Sequence, residues 1–305
     1  MLIRLEGITK RFGSTLALDC VSLEFAGRTN LLLGTNGSGK STLINILAGL
    51  TYPNEGRFTV GEEGFDAKNR DTWRKATEKI RRGTGFLLDK PGYPSYMSGI
   101  ELLEWGDSQN GSKSDEWPDK LIGDLGMSPY IKKTIGGYSS GMMQKLGIAA
   151  SLVSRPGLVL WDEPTANLDA DARKKVTALV KELVAEGTTF VIASHTPGDF
   201  QDVTDWVGLM RLGRLIRSGP LSVLGANSPV YEAGTDTPNL LASRLFESGF
   251  AAEAIIDGGR VVFEASGSFD EPDLESLARS SGVKLSSFSR RPKTVSELYL
   301  EFLAE

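Results

Sequence analysis

Cysteine is almost absent from this chain of 305 residues. Cys20 stands alone, which excludes an internal disulfide and any metal cage built from several thiolates. Histidine is equally scarce, His195 being the only one. Long apolar runs are missing: no unbroken stretch of Ala, Val, Ile, Leu, Met, Phe, Trp, Tyr or Cys exceeds four residues. A membrane-crossing helix needs ~20 mostly apolar residues, so the chain is not expected to span a bilayer by itself. The opening MLIRLEGITK holds no apolar core of ~7–15 residues, and no secretory signal is expected. Positive charge is not in excess either: Lys and Arg number 34 against 39 Asp and Glu, a net charge of −5. Neutralising a phosphate backbone needs a positive face, so no nucleic-acid partner is expected. Internal repeats and low-complexity segments are also lacking. These absences point to a soluble, cytoplasmic chain and leave room for a membrane protein as its partner.

What is present is an ordinary globular balance, 40% apolar and 24% charged, sufficient to bury a sizeable core. The length suits two domains of ~100–200 residues each. Residues 1–7, 17–25 and 29–33 read as strands punctuated by Gly13, Gly27 and Gly34, and 40–50 as a helix. Helices are expected over 99–105, 118–126 and 141–153, on either side of a polar surface loop at 107–118. The run 70–82 carries charges of both signs and reads as a solvated helix face. Residues 157–161 and 188–193 are short apolar strands, and Asp169 is placed to cap a helix running to about 185. Strand–helix alternation of this kind predicts an α/β fold with parallel strands.

Gly, Pro and polar residues over 225–238 mark a boundary, after which the pattern restarts. A helix at 240–246 is followed by strands at 251–256 and 260–265 around Asp257-Gly258-Gly259, a hairpin signal. A helix at 273–279, a strand at 283–288 and a last helix from Val295 complete a small α+β domain. Thr294 with Glu297 makes a capping box. Val295, Leu298, Tyr299, Phe302 and Leu303 form one apolar stripe, suited to covering the domain's own sheet or, as the alternative, a partner subunit.

Gly34-Thr35-Asn36-Gly37-Ser38-Gly39-Lys40-Ser41 fits G-x-x-x-x-G-K-[ST] and lies between an apolar strand and a helix, the context in which this motif cradles phosphates. Glycines let backbone N–H groups turn inward around phosphate oxygens, and the following helix start adds positive potential. Residues Gly34 through Thr42 are therefore candidate nucleotide-binding residues. Lys40 can reach the β- and γ-phosphates, and Ser41 can ligate Mg²⁺. Leu158-Val-Leu-Trp-Asp162-Glu163 is an apolar strand ending in two carboxylates, where α/β sheets bind ligands. Asp162 is the candidate for the Mg²⁺ shell, and Glu163 for polarising an attacking water.

Tyr138-Ser139-Ser140-Gly141-Met142 precedes a helix 23 residues before Asp162. This segment resembles the signature of the ATP-binding-cassette (ABC) ATPases, commonly Leu-Ser-Gly-Gly-Gln. Gln144-Lys145-Leu146, Asp162-Glu163-Pro164-Thr165, Asn167-Leu168-Asp169 and Ser194-His195 follow in the order and spacing of that family. The resemblance covers residues 1 to about 222 and implies a P-loop NTPase of the ABC type. It implies a helical subdomain at about 90–155, with the α+β domain over 223–305. It further implies that Phe12 stacks on adenine, that Ser139, Ser140 and Gly141 meet the γ-phosphate held by another subunit, and that Asp169 lies across that interface. His195 would approach the γ-phosphate and the attacking water. Asp89 takes the position where many family members have a glutamine that meets Mg²⁺ or the lytic water. Ser140 and Met142 depart from the common signature, adding a side chain at a crowded point and losing a polar handle.

The resemblance implies ATP and Mg²⁺ as cofactors, Lys40, Glu163 and His195 as the hydrolytic residues, and a second nucleotide-binding subunit, identical or related, to complete each site. The terminal segment 293–303 resembles the C-terminal extension of exporter ATPases of the ABC-2 type, which implies separate integral membrane subunits as partners and peripheral attachment to the cytoplasmic face of the membrane. The loop 83–99 that carries Asp89 is expected to relay movement to such a partner through residues 91–97, the alternative being an exposed turn. The alternative is a non-transport ABC ATPase acting as a soluble switch. A P-loop GTPase is disfavoured, because no Asn-Lys-x-Asp or Thr-Lys-x-Asp motif occurs in the chain.

Overall fold

The computed structural model describes residues 2–61, 63–89, 92–108, 116–227, 230–265, 269 and 271–304. The chain divides into two compact units, Met1–Pro220 and Leu221–Glu305. The first begins with β1 (Ile3–Phe12), β2 (Thr15–Phe25), β3 (Thr29–Gly34), α1 (Lys40–Leu47), β4 (Glu55–Val60), β5 (Glu63–Asp66) and α2 (Arg70–Arg82). It continues with β6 (Thr84–Leu87), α3 (Gly99–Ser108), α4 (Trp117–Asp124), α5 (Ser140–Leu152), β7 (Leu158–Asp162), α6 (Ala170–Ala185), β8 (Thr189–Ser194), β9 (Trp206–Arg211) and β10 (Arg214–Pro220).

Two sheets result. One has the order β10-β9-β3-β8-β7-β6, parallel from β9 to β6 with β10 antiparallel at its edge. Strands β3, β7 and β8 are buried over their full length, as strands covered on both faces must be. The other sheet is antiparallel, β2-β1-β4-β5, and joins α1 and Trp73 of α2 around Phe25, Phe58 and Phe65. The pairs Leu33↔Ser194, Asp162↔Ala193 and Leu87↔Trp161 bring the carboxyl ends of β3, β8, β7 and β6 level, so four loops emerge side by side at one edge. That is the edge at which open α/β sheets bind ligands. Helices α3, α4 and α5 pack together, and the Trp117 indole donates to Leu152 O at 3.0 Å.

Several expectations change. The first strand runs on to Phe12 rather than ending at Gly7, because Gly7 (φ 62°) lies where the register shifts between Leu5 and Ile8, a bulge inside the strand. The helix after β3 stops at Leu47, with Gly49 taking a left-handed conformation (φ 68°). Part of 83–99, read as loop, is the strand β6. Gly85 disguises it, yet a Cβ there would collide with the Ser151 carbonyl of α5, so close packing demands the glycine. The solvated reading of 70–82 holds only in part, since Trp73, Thr77 and Ile80 are buried. The polar loop at 107–118 lies mostly outside the described residues, as does Pro91 of the expected relay segment.

The second unit holds α7 (Leu221–Leu224), β11 (Val230–Thr235), α8 (Pro238–Glu247), β12 (Ala251–Asp257), β13 (Arg260–Ala265), α9 (Glu271–Ser280), β14 (Leu285–Arg291) and α10 (Val295–Ala304). Its sheet is antiparallel, β12-β13-β11-β14, around Tyr231, which stacks on Phe263 and Phe288 at 5.6 Å each. The β12–β13 hairpin turns on Gly258 (φ 53°) and Gly259 (φ 81°), a type I′ geometry. The capping box forms: Glu297 N donates to Thr294 Oγ1 at 3.2 Å and Thr294 N to Glu297 Oε2 at 2.7 Å. Of the α10 stripe, Val295, Leu298, Tyr299 and Phe302 are buried within the chain, while Leu303 stays 43% exposed. α10 shares a groove with β13, lined by Val262, Phe263, Lys293 and Leu300.

Candidate active site

Strand β3 delivers the chain to Gly34, and the loop after it turns through Gly37 (φ 78°) and Gly39 (φ 103°) to start α1 at Lys40. At Gly39 both constraints demand glycine: the backbone is left-handed, and a Cβ would lie 2.7 Å from Ala17 O. Thr35, Asn36 and Ser41 are exposed, whereas Ser38 and Lys40 are buried. The Lys40 ammonium folds back on its own loop, donating to Gly34 O at 2.7 Å and Thr35 O at 3.2 Å, with Glu163 Oε1 at 3.9 Å. Burial lowers its pKa, and the nearby Glu163 and Asp162 carboxylates oppose that shift. A buried cation held by carbonyls of a phosphate-type loop is poised to exchange those carbonyls for phosphate oxygens.

Strands β7 and β8 bring the carboxylates. Asp162 is 3% exposed, and its Oδ1 is buried without a hydrogen-bond partner. Burial raises its pKa, a Ser41 hydroxyl hydrogen bond opposes the shift, and the charges of Glu163 and Asp89 reinforce it. Such an orphaned oxygen beside a hydroxyl offers hard donors of the kind Mg²⁺ takes. Among the described residues no group of three or more His, Cys, Asp or Glu gathers to hold a metal. The donor set therefore fits an ion that shares its shell with phosphates and water rather than one caged by protein. Glu163 sits in the left-handed region (φ 50°), a strained conformation for a non-glycine residue. Its Oε2 lies 2.8 Å from His195 Nδ1 and accepts from His195 N at 3.4 Å. Lys40, Glu163, His195, the exposed Asp89 and residues 36–42 line one cleft of about 580 Å³, closed on another side by Thr15–Ala17 of β2.

The remaining candidates lie elsewhere. Ser139 caps α5, its Oγ accepting from Met142 N at 3.3 Å, and Ser140 is exposed beside it. Ser139, Gly141 and Asp169 line a second cleft of about 330 Å³ with Tyr130, Lys145 and Asn167, separate from the Lys40 cleft. The Tyr130 hydroxyl is buried there without a partner, and burial pushes its pKa up to about 12. Asp169 also caps α6, accepting from Ala172 N at 2.8 Å. Phe12 ends β1, half exposed, with Lys10 Nζ 4.8 Å from its ring centre, and is not among the residues lining the Lys40 cleft.

Two further contributors act through partners distant in sequence. Gly213, at the tip of the β9–β10 hairpin, donates to Ser38 O at 3.0 Å and accepts from Asp19 N at 2.9 Å, bracing the phosphate-type loop against β2. Gln144, buried in α5, donates to Glu163 O at 3.0 Å and Pro164 O at 2.9 Å. Only their contacts across the sequence reveal them.

Comparison with known proteins adds a family. A family model described as ABC transporter matches residues 18–166. An uncharacterised ABC transporter ATP-binding protein, YdbJ of Bacillus subtilis (strain 168), is 30% identical over 298 residues, spanning 97% of this chain and 92% of its own length. The bacitracin transport ATP-binding protein BcrA of Enterococcus faecalis is 27% identical over 278 residues, 90% of this chain and 88% of its own. A solved dimeric structure of MJ0796, a bacterial ABC transporter cassette, aligns with a TM-score of 0.63 at 24% identity. It covers 72% of this chain and 98% of that one, and speaks for the fold.

Proposed function

The chain belongs to the ABC transporter ATP-binding proteins, an ATPase family, and on that premise we propose how its two clefts divide the work. The phosphate-loop cleft holds ATP, with Ser41 and Asp162 as the ligands of an Mg²⁺ that arrives with the nucleotide, and Asp89 beside them. That ion, when bound, neutralises charge on the phosphates. Lys40 leaves the carbonyls of Gly34 and Thr35 for phosphate oxygens. Glu163 exchanges its His195 contact for the attacking water and orients it, while His195 remains within reach of the terminal phosphate. Phosphoryl transfer depends mainly on such placed charge and orientation.

The observation that carries the reading is the separation of the two clefts. Lys40, Glu163 and His195 share one, and Ser139, Gly141 and Asp169 share another on the same chain. The second completes the site of a neighbouring copy or a related subunit, so nucleotide is a ligand with differential affinity for closed and open dimers. Likeness to BcrA, a protein named for bacitracin transport, favours coupling to separate membrane subunits and export. Among the described residues no helix is long and apolar enough to cross a membrane.

Glu163→Gln tests this. Hydrolysis should fall by at least ~10²-fold with ATP still bound, and size-exclusion chromatography with MgATP should show a species of twice the mass. Hydrolysis at the unsubstituted rate, or a species that stays monomeric, would refute the assignment.

A further inference from the structure

We infer that Gln144 is a positioning residue that couples the cleft engaging a partner's nucleotide to the Glu163 carboxylate facing this chain's own. The inference rests on the proposed division of the clefts. Gln144 is a polar side chain, 6% exposed, among the buried apolar positions of α5. Its amide uses both hydrogens on two consecutive carbonyls, those of Glu163 and Pro164. A leucine would fill the same space and would leave those carbonyls without these donors.

Glu163 needs such support. Its φ of 50° is strained, and a strained backbone persists where its surroundings over-determine it. Glu163 N donates to Ala193 O at 2.9 Å, which ties it to β8, and its own carbonyl accepts from Ala166 N at 3.1 Å and from Gln144. The residue is therefore held between β8 and α5. The first turn of α5 meets the same turn further on: a Cβ at Gly141 would lie 2.9 Å from Asn167 O. The end of α5 that bears Ser139 and Gly141 thus packs on the segment 163–169 at two points, Gly141 and Gln144. A displacement of α5 when its tip grips a phosphate is passed to the backbone of Glu163, and by reciprocity the state of Glu163 biases the grip.

Gln144→Leu keeps the volume and removes both donors, and Gln144→Glu keeps the shape while replacing a donor with an acceptor. Steady-state hydrolysis against ATP concentration, and binding of a fluorescent ATP analogue to dilute monomer, are measured on the full chain. For both variants kcat should fall ~10–100-fold, since a misplacement near 1 Å at a reacting group has about that effect, and the Hill coefficient should drop toward 1. Analogue affinity of the monomer should stay within about twofold, because the phosphate loop is untouched. A kcat and Hill coefficient within twofold of the unsubstituted chain would overturn the coupling. So would an equal loss of kcat and monomer affinity. Should either variant fail to fold, hydrogen exchange on the unsubstituted chain decides: MgATP should slow the amides of Ala166 and Leu168 only where dimer forms, and equal slowing in dilute monomer overturns the inference. If the unsubstituted chain neither binds nor hydrolyses ATP, the functional reading fails first and separately.

Discussion

Replacing Lys40 with methionine separates folding from ligand binding. Lys40 Nζ satisfies two carbonyls, at 2.7 and 3.2 Å. Losing a donor to a buried carbonyl costs about 1–3 kcal/mol, but the ammonium is itself buried, and removing a desolvated charge offsets much of that. Lys40→Met should therefore change the stability of the nucleotide-free chain by about 1 kcal/mol or less. With nucleotide the balance differs, because a charge-assisted hydrogen bond contributes about 1.5–3 kcal/mol. Its loss at the upper end weakens affinity ~100-fold. At an ATP concentration of 100 times the native dissociation constant, binding stabilises the unsubstituted protein by about 2.7 kcal/mol, whereas the variant, sitting near its own constant, gains about 0.4 kcal/mol. For a unit the size of Met1–Pro220 each kcal/mol is worth ~2–4 °C, so MgATP should raise Tm by about 5–11 °C for the unsubstituted chain and about 1–2 °C for the variant. Differential scanning fluorimetry with an ATP titration measures both. An undiminished shift in the variant would refute the placement of Lys40 on phosphate.

Gly213→Ala should weaken ATP binding several-fold although Gly213 is not among the cleft-lining residues, because φ is 78° and a Cβ would lie 2.8 Å from Ala17 O, displacing the N–H that braces Ser38. Isothermal titration reads the effect, and unchanged affinity in a folded variant would remove the brace. Glu297 supplies the pH test: burial opposes its ionisation, but the Arg291 guanidinium and the Thr294 N–H and hydroxyl outweigh that and lower its pKa to about 2. A lowered acid stabilises the fold above its unfolded value and loses that contribution as pH falls through the folded one, so Glu297→Gln should destabilise the second unit by about 1–2 kcal/mol at pH 6 and by progressively less between about pH 4.5 and 2. Denaturant midpoints across that window that differ by a constant amount would contradict it. Chelation with EDTA should weaken ATP binding by at least ~10-fold if Ser41 and Asp162 hold the ion as proposed; equal affinities with and without Mg²⁺ in a titration would argue against that proposal.

Much of the site was legible because its chemistry is written locally. A glycine-rich loop between strand and helix, and an apolar strand ending in Asp162-Glu163, each place their groups with short-range backbone geometry. Asp169 announces its cap for the same reason. What stayed hidden depends on distant partners. β6 was concealed by Gly85, whose purpose is to admit α5, and that approach is visible only once both are folded. β9 and β10 carry no strong alternation, yet their hairpin tip reaches the Ser38 carbonyl. Gln144 looked like one more signature residue until its amide met the carbonyls of Glu163 and Pro164. Gly7 suggested a strand end because a bulge and a terminus use glycine alike.

The charge in the first cleft gives direction to the cycle. Lys40 feels the charges of Glu163 and Asp162, Asp89 shares its cleft, and Asp162 is buried with one oxygen unpartnered. A polyphosphate entering this cleft alone adds like charge to a site already rich in it, so the loop dipoles and Lys40 must be joined by a cation to hold it. In the proposed reading the second cleft adds the backbone N–H groups at the start of α5, where the helix end favours an anion, with Ser139 and Lys145 beside them. That contribution exists solely while a terminal phosphate remains to be gripped. On that reading, cleavage breaks the covalent tie between the gripped phosphate and the rest of the nucleotide. On the proposed reading, binding draws two subunits together and hydrolysis lets them part.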